Sequence, residues 1–197
     1  LGSEGTLGII TKAVIKLFPI PTNKVTSIVA TASLEATIDL LVKLRERTGD
    51  IINAFEYIDG ACIDLLSNEA DVKNIFNKKY EHYALVELSS SRGSEDLRLL
   101  LEDSIASSIL DESVIDAIIA SNETQSAEFW KLRETLPGLL KSIGEPIAFD
   151  ISVPISLLPK LIKDTKKACN KISKGSRVFI FGHFGDGNIH YYFFKSN

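Results

Sequence analysis

Two histidines, His183 and His190, stand seven positions apart in the stretch Phe181-Gly182-His183-Phe184-Gly185-Asp186-Gly187-Asn188-Ile189-His190. Neutral imidazole suits zinc, iron or manganese, and two imidazoles presented to the same side could share one divalent ion. Two ligands do not complete such a site, and the plain alternative is a pair of hairpin histidines bonded to backbone. The turn between them carries almost no bulk. Its three glycines admit backbone conformations closed to other residues, and Asp186 and Asn188 can close the bend through their side chains. Arg177 to Phe181 leads in and Ile189 to Phe194 leads out, so the stretch reads as strand, turn, strand, and a hairpin would bring the two imidazoles toward each other. The third histidine, His82, precedes a strand and reads as structural or surface.

Arg133 is the candidate for holding an acidic substrate, because a guanidinium grips a carboxylate through two parallel hydrogen bonds. The alternative is an exposed helix arginine paired with Glu134 or Glu128. Trp130, the single tryptophan, reads as core. At the start of the chain, Leu1-Gly2-Ser3-Glu4-Gly5-Thr6-Leu7-Gly8-Ile9 offers backbone amides suited to phosphate or a flat heteroaromatic edge. Taken by itself it is equally an ordinary glycine turn into a strand over Ile9–Phe18.

The elements that must position these groups alternate. Lys24–Ala32 has strand composition, and Leu34–Arg47 has helical spacing, with Ser33 as N-cap and Gly49 at its end. Ile51–Tyr57 reads as extended, Gly60–Ser67 as a short helix, Asp71–Tyr80 as polar loop and Tyr83–Ser89 as strand. A helix from Ser94 to Leu110 starts with acidic capping residues, and Val114–Ala120 is a strand. Thr124–Leu140 is helical, with Pro137-Gly138 expected to kink it or end it early. Ile147–Val153 is a strand, and Ser156–Ile172 an amphipathic helix that tolerates Pro159 in its first turn. Without a Gly-x-Gly-x-x-Gly turn behind a strand, this order predicts an α+β fold, not a Rossmann fold: an antiparallel sheet covered on one face by helices.

Composition narrows the function classes. At 197 residues, 45% hydrophobic and 24% charged, the chain can bury a sizeable core and reads as one large domain. The net charge of -4, from 26 acids against 22 bases, comes with no basic cluster, which argues against nucleic acid. No apolar run approaches the roughly 18 residues a membrane span needs, and no signal peptide is visible. Cys62 and Cys169 lack metal or disulfide spacing, so a reducing compartment is expected. The chain has no methionine and starts inside the glycine loop, so it reads as a fragment.

Taken in series, Gly2-Ser-Glu-Gly-Thr-Leu-Gly8, Phe55-Glu-Tyr-Ile-Asp59, Val86-Glu-Leu-Ser-Ser-Ser-Arg92, Phe129-Trp-Lys-Leu-Arg-Glu134, Phe149-Asp-Ile-Ser-Val-Pro154 and the histidine hairpin resemble the family of FAD-linked oxidases and dehydrogenases that act on D-2-hydroxy acids, such as D-lactate and D-2-hydroxyglutarate. The resemblance covers nearly the whole chain. It implies that residues 1–22 are the tail of an FAD-binding domain. Residues 23–197 would be the substrate-side cap, with two ferredoxin-like halves, truncated at its C-terminal end.

The resemblance also implies site roles. FAD would meet Gly2, Ser3, Gly5 and Thr6 at its diphosphate or ribityl region and Gly8 and Ile9 near its ring. His183 and His190 would be catalytic and would ligate a divalent metal such as zinc, with Arg133 on the substrate carboxylate. A third ligand, a glutamate in a Glu-His-Gly segment, and a histidine general base would lie beyond Asn197. The fragment would not hold FAD or turn over by itself. A homodimer, in a bacterial cytoplasm or in mitochondria, is a further expectation. Relatives sharing the fold include a glycolate oxidase subunit and an ether-lipid synthase, and a degenerate, non-catalytic relative is the other alternative. Two positions depart from the family pattern. Ala148 stands where a lysine is usual, which weakens a dicarboxylic substrate, and Tyr192 stands where an asparagine is usual.

Overall fold

The structure, a computed structural model, describes residues 5–70, 75–92 and 96–196. Its strands are β1 (Asn23–Thr31), β2 (Ile52–Asp59), β3 (His82–Ser90), β4 (Val114–Ile119), β5 (Ile147–Ser152), β6 (Arg177–His183) and β7 (Asn188–Phe194). Its helices are α1 (Leu34–Thr48), α2 (Gly60–Glu69), α3 (Leu97–Leu110), α4 (Glu123–Ser142) and α5 (Leu158–Ile172). The strands form a 7-stranded sheet in the order β4-β1-β3-β2-β6-β7-β5, and every neighbouring pair is antiparallel. The α+β fold with an antiparallel sheet expected from the sequence is present.

The sheet divides into two halves of related plan. The first runs β1-α1-β2-α2-β3-α3-β4 with spatial order β4-β1-β3-β2. The second runs β5-α5-β6-β7, and its order β5-β7-β6 repeats the order β1-β3-β2 of the first. The halves meet along β2 and β6, where Glu56, Tyr57 and Ile58 pair with His183, Gly182 and Phe181. Helix α4 carries the chain from one half to the other.

Helices cover both faces of the sheet, which corrects the one-faced layer expected. Val29, Phe55, Tyr57, Val86 and Ile180 pack with residues of α1, α3 and α5. Ile28, Ile58, Leu85, Phe179 and Phe181 pack with α2 and α4. Unbroken apolar runs such as Tyr83-Ala84-Leu85-Val86 are the sequence mark of a strand buried on both sides.

Local chemistry sets the helix boundaries. Ser33 Oγ accepts the Ala36 N–H at 3.0 Å to start α1, and Asn122 Oδ1 accepts the Gln125 N–H at 2.9 Å to start α4. Asp96 does the same for α3 through the Leu99 N–H at 3.1 Å; the expected cap at Ser94 lies outside the described residues. Pro137 does not end α4 early, one of the two outcomes expected of it, for the helix runs on to Ser142. Its missing N–H leaves the Arg133 carbonyl without its helical donor, a defect worth about 3 kcal/mol. Burial of Phe129, Leu132, Leu136 and Leu140 on one face of α4 offsets it.

The strand expected over Ile9–Phe18 is not formed. Residues 8–21 take no regular structure, and Leu7, Ile9, Val14, Ile15, Leu17 and Phe18 are exposed. A lone strand has no ladder to join, and no described strand pairs with this one.

Candidate active site

The hairpin expected from the glycine-rich stretch forms, with Phe181 opposite His190. That register puts His183 and His190 on one face as diagonal neighbours. Their ring centroids lie 5.2 Å apart at an interplanar angle of 81°.

The turn is held from four sides. Phe184 is fully buried and stacks on Tyr57 with centroids 4.4 Å apart. The Gly185 N–H donates to the Phe55 carbonyl at 3.1 Å, and Arg45 of α1 donates to the Gly185 carbonyl. The Val153 N–H donates to the Gly187 carbonyl at 3.0 Å. Gly187 has φ 83, and a Cβ there would collide with the Val153 carbonyl oxygen, so only glycine fits.

The first half supplies the partners of these histidines. Glu56 of β2 stands directly across from His183. It is buried, 4% exposed, and each of its oxygens is engaged. Oε1 lies 2.5 Å from His183 Nδ1, and Oε2 accepts from Arg133 Nε at 2.7 Å. Arg133 is 8% exposed and its guanidinium lies 4.6 Å from the Phe181 ring centroid. The exposed pairing with Glu134 or Glu128 is therefore not the one found. The His190 ring sits 5.3 Å from the other partner of this cluster, the Phe181 ring. Its Nδ1 is 3.5 Å from Asp150 Oδ2 on β5, and Asn188 steadies Asp150 by donating to Oδ1 at 2.7 Å. Burial, then the positive charge of Arg133, holds the His190 imidazole below its usual pKa against the opposing pull of Asp150. His190 is thus disposed to stay neutral, as a metal ligand or proton acceptor must.

Arg133, His183 and His190 thus come together, drawn from α4, β6 and β7. Among the described residues, no group of three His, Cys, Asp or Glu is arranged to hold a metal ion. The two imidazoles still suit a shared cation in one respect. His183 points Nδ1 at a carboxylate, the arrangement that leaves Nε2 for a metal.

The loop candidates fare differently. Gly2 and Ser3 lie outside the described residues, while Gly5, Thr6, Gly8 and Ile9 are exposed and belong to neither core cluster. Gly5 has φ 82, and a Cβ at Gly5 or Gly8 would meet nothing within 4 Å. Both are open to close approach by a flat ligand.

A second buried carboxylate, Glu87 of β3, lies on the same face as Glu56. It accepts from Trp130 Nε1 at 2.9 Å, Asn53 Nδ2 at 2.5 Å and Thr26 Oγ1 at 3.3 Å. Trp130 is accordingly half-buried with a polar duty, beyond the core role expected of it. A cleft of about 1010 Å³ borders this cluster at Lys24, Thr26, Glu87, Ser126 and Trp130, and a smaller one of about 320 Å³ lies at Arg45, Asn53, Glu56, His183 and Asp186. The smaller cleft reaches Glu56 and His183, whose Nε2 has no partner among the described residues, while Arg133 and His190 lie outside its lining.

Glu56, Glu87 and Asp150 were not singled out from the sequence. For the first two the signal was there: a lone carboxylate inside a run of strand-forming apolar residues, which must be paired if it is to be buried. His82 is structural, as expected, with Nδ1 2.8 Å from the Tyr57 hydroxyl.

Comparison with known proteins places this geometry. The family model described as FAD linked oxidases, C-terminal domain, matches residues 20–197. The mitochondrial D-2-hydroxyglutarate dehydrogenase of Arabidopsis thaliana is 31% identical over 191 residues, covering 96% of this chain and 34% of that protein. A putative mitochondrial D-lactate dehydrogenase of Schizosaccharomyces pombe is 29% identical over 203 residues, covering 96% and 38%. The D-2-hydroxyglutarate dehydrogenase of Stutzerimonas stutzeri is 26% identical over 190 residues, covering 96% and 40%. The chain thus spans little more than a third of the length of these relatives. Among solved structures, an alkyldihydroxyacetonephosphate synthase superposes with a TM-score of 0.61 over 100% of this chain and 40% of its own, at 18% identity, a likeness of fold. The chain, with its two-half antiparallel sheet and the histidine hairpin at the seam, belongs to the FAD-linked oxidase family and corresponds to its C-terminal domain.

Proposed function

We propose that this chain is the substrate-side part of an FAD-dependent oxidoreductase that converts a D-2-hydroxy acid to the 2-oxo acid. The observation that carries the reading is the convergence of one buried arginine and two imidazoles on one face of the sheet, around Phe181. Relatives named as dehydrogenases of such acids support it.

Arg133 binds the substrate carboxylate, since its Nε is committed to Glu56 and its other guanidinium nitrogens have no partner among the described residues. The hydroxyl group of an acid anchored there is directed to the imidazoles. His183, through Nε2, and His190, held neutral, are suited to ligate a divalent cation such as zinc, with substrate oxygens as further ligands. When bound, such a cation would supply charge stabilisation to the developing alkoxide and FAD would supply the acceptor for the α-hydrogen as hydride, with the hydroxyl proton left to a general base. Gly2, Ser3, Gly5, Thr6, Gly8 and Ile9 would line the flavin, and residues 1–22 would belong with the cofactor domain. Residues 23–197 form the cap.

Among the described residues no helix is long and apolar enough to cross a membrane, and relatives named mitochondrial support a mitochondrial or bacterial setting. The test is spectroscopic. The full-length protein, held without oxygen, should lose its flavin colour on addition of D-lactate or D-2-hydroxyglutarate. A flavin that stays oxidised with every D-2-hydroxy acid tried would refute the reading.

A further inference from the structure

We propose that Glu56 is the positioning residue of this site: one carboxylate that orients the substrate-binding arginine and the exposed histidine together. The inference rests on the functional reading above for the roles of those two groups. Its geometry stands without it. Glu56 sits on β2 at the seam, facing His183 across the strand pair and Arg133 across the layer. It is buried, 4% exposed, between Leu85 and His183 in the ladder, where a carboxylate is tolerable only if paired.

Each oxygen does one job. Oε2 takes Arg133 Nε at 2.7 Å, which commits that nitrogen and leaves the Nη nitrogens without a hydrogen-bond partner among the described residues. Oε1 takes His183 Nδ1 at 2.5 Å. An ionised carboxylate only accepts hydrogen bonds, so Nδ1 carries the proton. With Nδ1 turned to Glu56, Nε2 is the nitrogen left to face a cation or a substrate hydroxyl. Neither partner can turn without releasing a buried charge. Glu87 nearby is held by neutral donors, with Lys24 Nζ 4.0 Å away, and it touches neither histidine.

The signature of such a residue is that two separate properties fail together. In the full-length protein, Glu56→Gln keeps the shape and loses the charge, and Glu56→Asp keeps the charge and shortens the reach; should the first not fold, the second carries the test. Zn²⁺ affinity, measured by competition with a chromophoric chelator, is expected to fall about 10–100-fold in Glu56→Gln. KM for D-lactate at saturating Zn²⁺ is expected to rise about ten-fold or more, with a smaller change in kcat, and Glu56→Asp should fall between. A variant that melts at a lower temperature but keeps both values within about two-fold of wild type would show a merely structural ion pair and overturn the proposal. So would a wild type that binds no Zn²⁺. A wild type that binds Zn²⁺ but oxidises no 2-hydroxy acid sinks the functional reading alone, because the zinc comparison is read without turnover.

Discussion

Ala148 and Tyr192 stand directly opposite each other across β5 and β7, two positions along from the Asp150–His190 pair and on the same face. The Tyr192 ring stacks on Phe181 with centroids 5.6 Å apart at 13°. The two positions expected to depart from the pattern the sequence resembles are therefore one place on the sheet, which presents a methyl group and an aromatic ring. Such a surface suits the apolar end of a short acid and offers a second carboxylate no cation, only the Tyr192 hydroxyl. The full-length protein should prefer D-lactate to D-2-hydroxyglutarate. The double variant Ala148→Lys, Tyr192→Asn should raise kcat/KM for the dicarboxylate about ten-fold, the effect of one modest charged contact. A ratio of kcat/KM between the two acids that does not move would separate this pair from specificity.

Arg133 pairs with Glu56 and is proposed to hold the substrate carboxylate, and two substitutions separate these roles. Arg133→Gln removes the partner of a buried carboxylate and should cost about 3–5 kcal/mol of stability, read by denaturant unfolding. Arg133→Lys keeps a charge near Glu56 but loses the planar fork, so stability should fall less while KM for the acid rises about 10–100-fold. If Lys serves as well as Arg in both assays, the carboxylate is held elsewhere.

Acid should weaken the fold through His82. Burial holds its imidazole below the usual pKa, and Asp59, which pulls the other way, does not restore it. The unfolded chain then binds the proton more readily than the folded one. Stability is complete above the ordinary histidine value of about 6.5 and is lost as pH falls from there toward the lowered folded value. Unfolding free energy measured at pH 7.5 and pH 5.5 should show the drop, and His82→Gln, which retains an acceptor for Tyr57 without the titration, should flatten it. An unchanged slope in His82→Gln would assign the acid sensitivity to other groups.

The hairpin turn should tolerate no side chain at Gly187. With φ 83 and the Val153 carbonyl oxygen standing where a Cβ would have to go, Gly187→Ala carries about 1–3 kcal/mol of backbone strain and must also displace β5. Amide hydrogen exchange of Ile189 and Tyr191 should quicken sharply. Gly138→Ala, in α4 with nothing within 4 Å, is the control and should be neutral or stabilising. Equal behaviour of the two variants would contradict the pinned turn.

What could be read from the sequence was what local pattern encodes. The hairpin was legible because alternating apolar residues and a glycine-rich bend settle strand, turn and side-chain face within a few residues, and that sufficed to put His183 beside His190. Arg133 was legible only as a type of side chain. Its partner Glu56 lies 77 residues away in sequence, and the carboxylate's other partner, His183, lies 127 away. The first contact arises from packing of α4 on the sheet and the second from pairing of β2 with β6, and no local period announces either. The helix α4 persists through Pro137 for the same reason: packing of its apolar face outweighs a local defect. The second helical layer was foreshadowed by the unbroken apolar runs of β1 and β3. Ile9–Phe18 shows the converse, a good strand pattern that forms no strand where it has no neighbour to pair with.

The central claim is that His183 and His190 act together on the substrate. Its most direct measurement is the rate of flavin reduction by D-lactate in the full-length protein, without oxygen, comparing His190→Ala and His183→Ala with wild type. The account expects both variants to retain the flavin, while reduction slows at least about 100-fold in each. Reduction at the wild-type rate in either variant would contradict it.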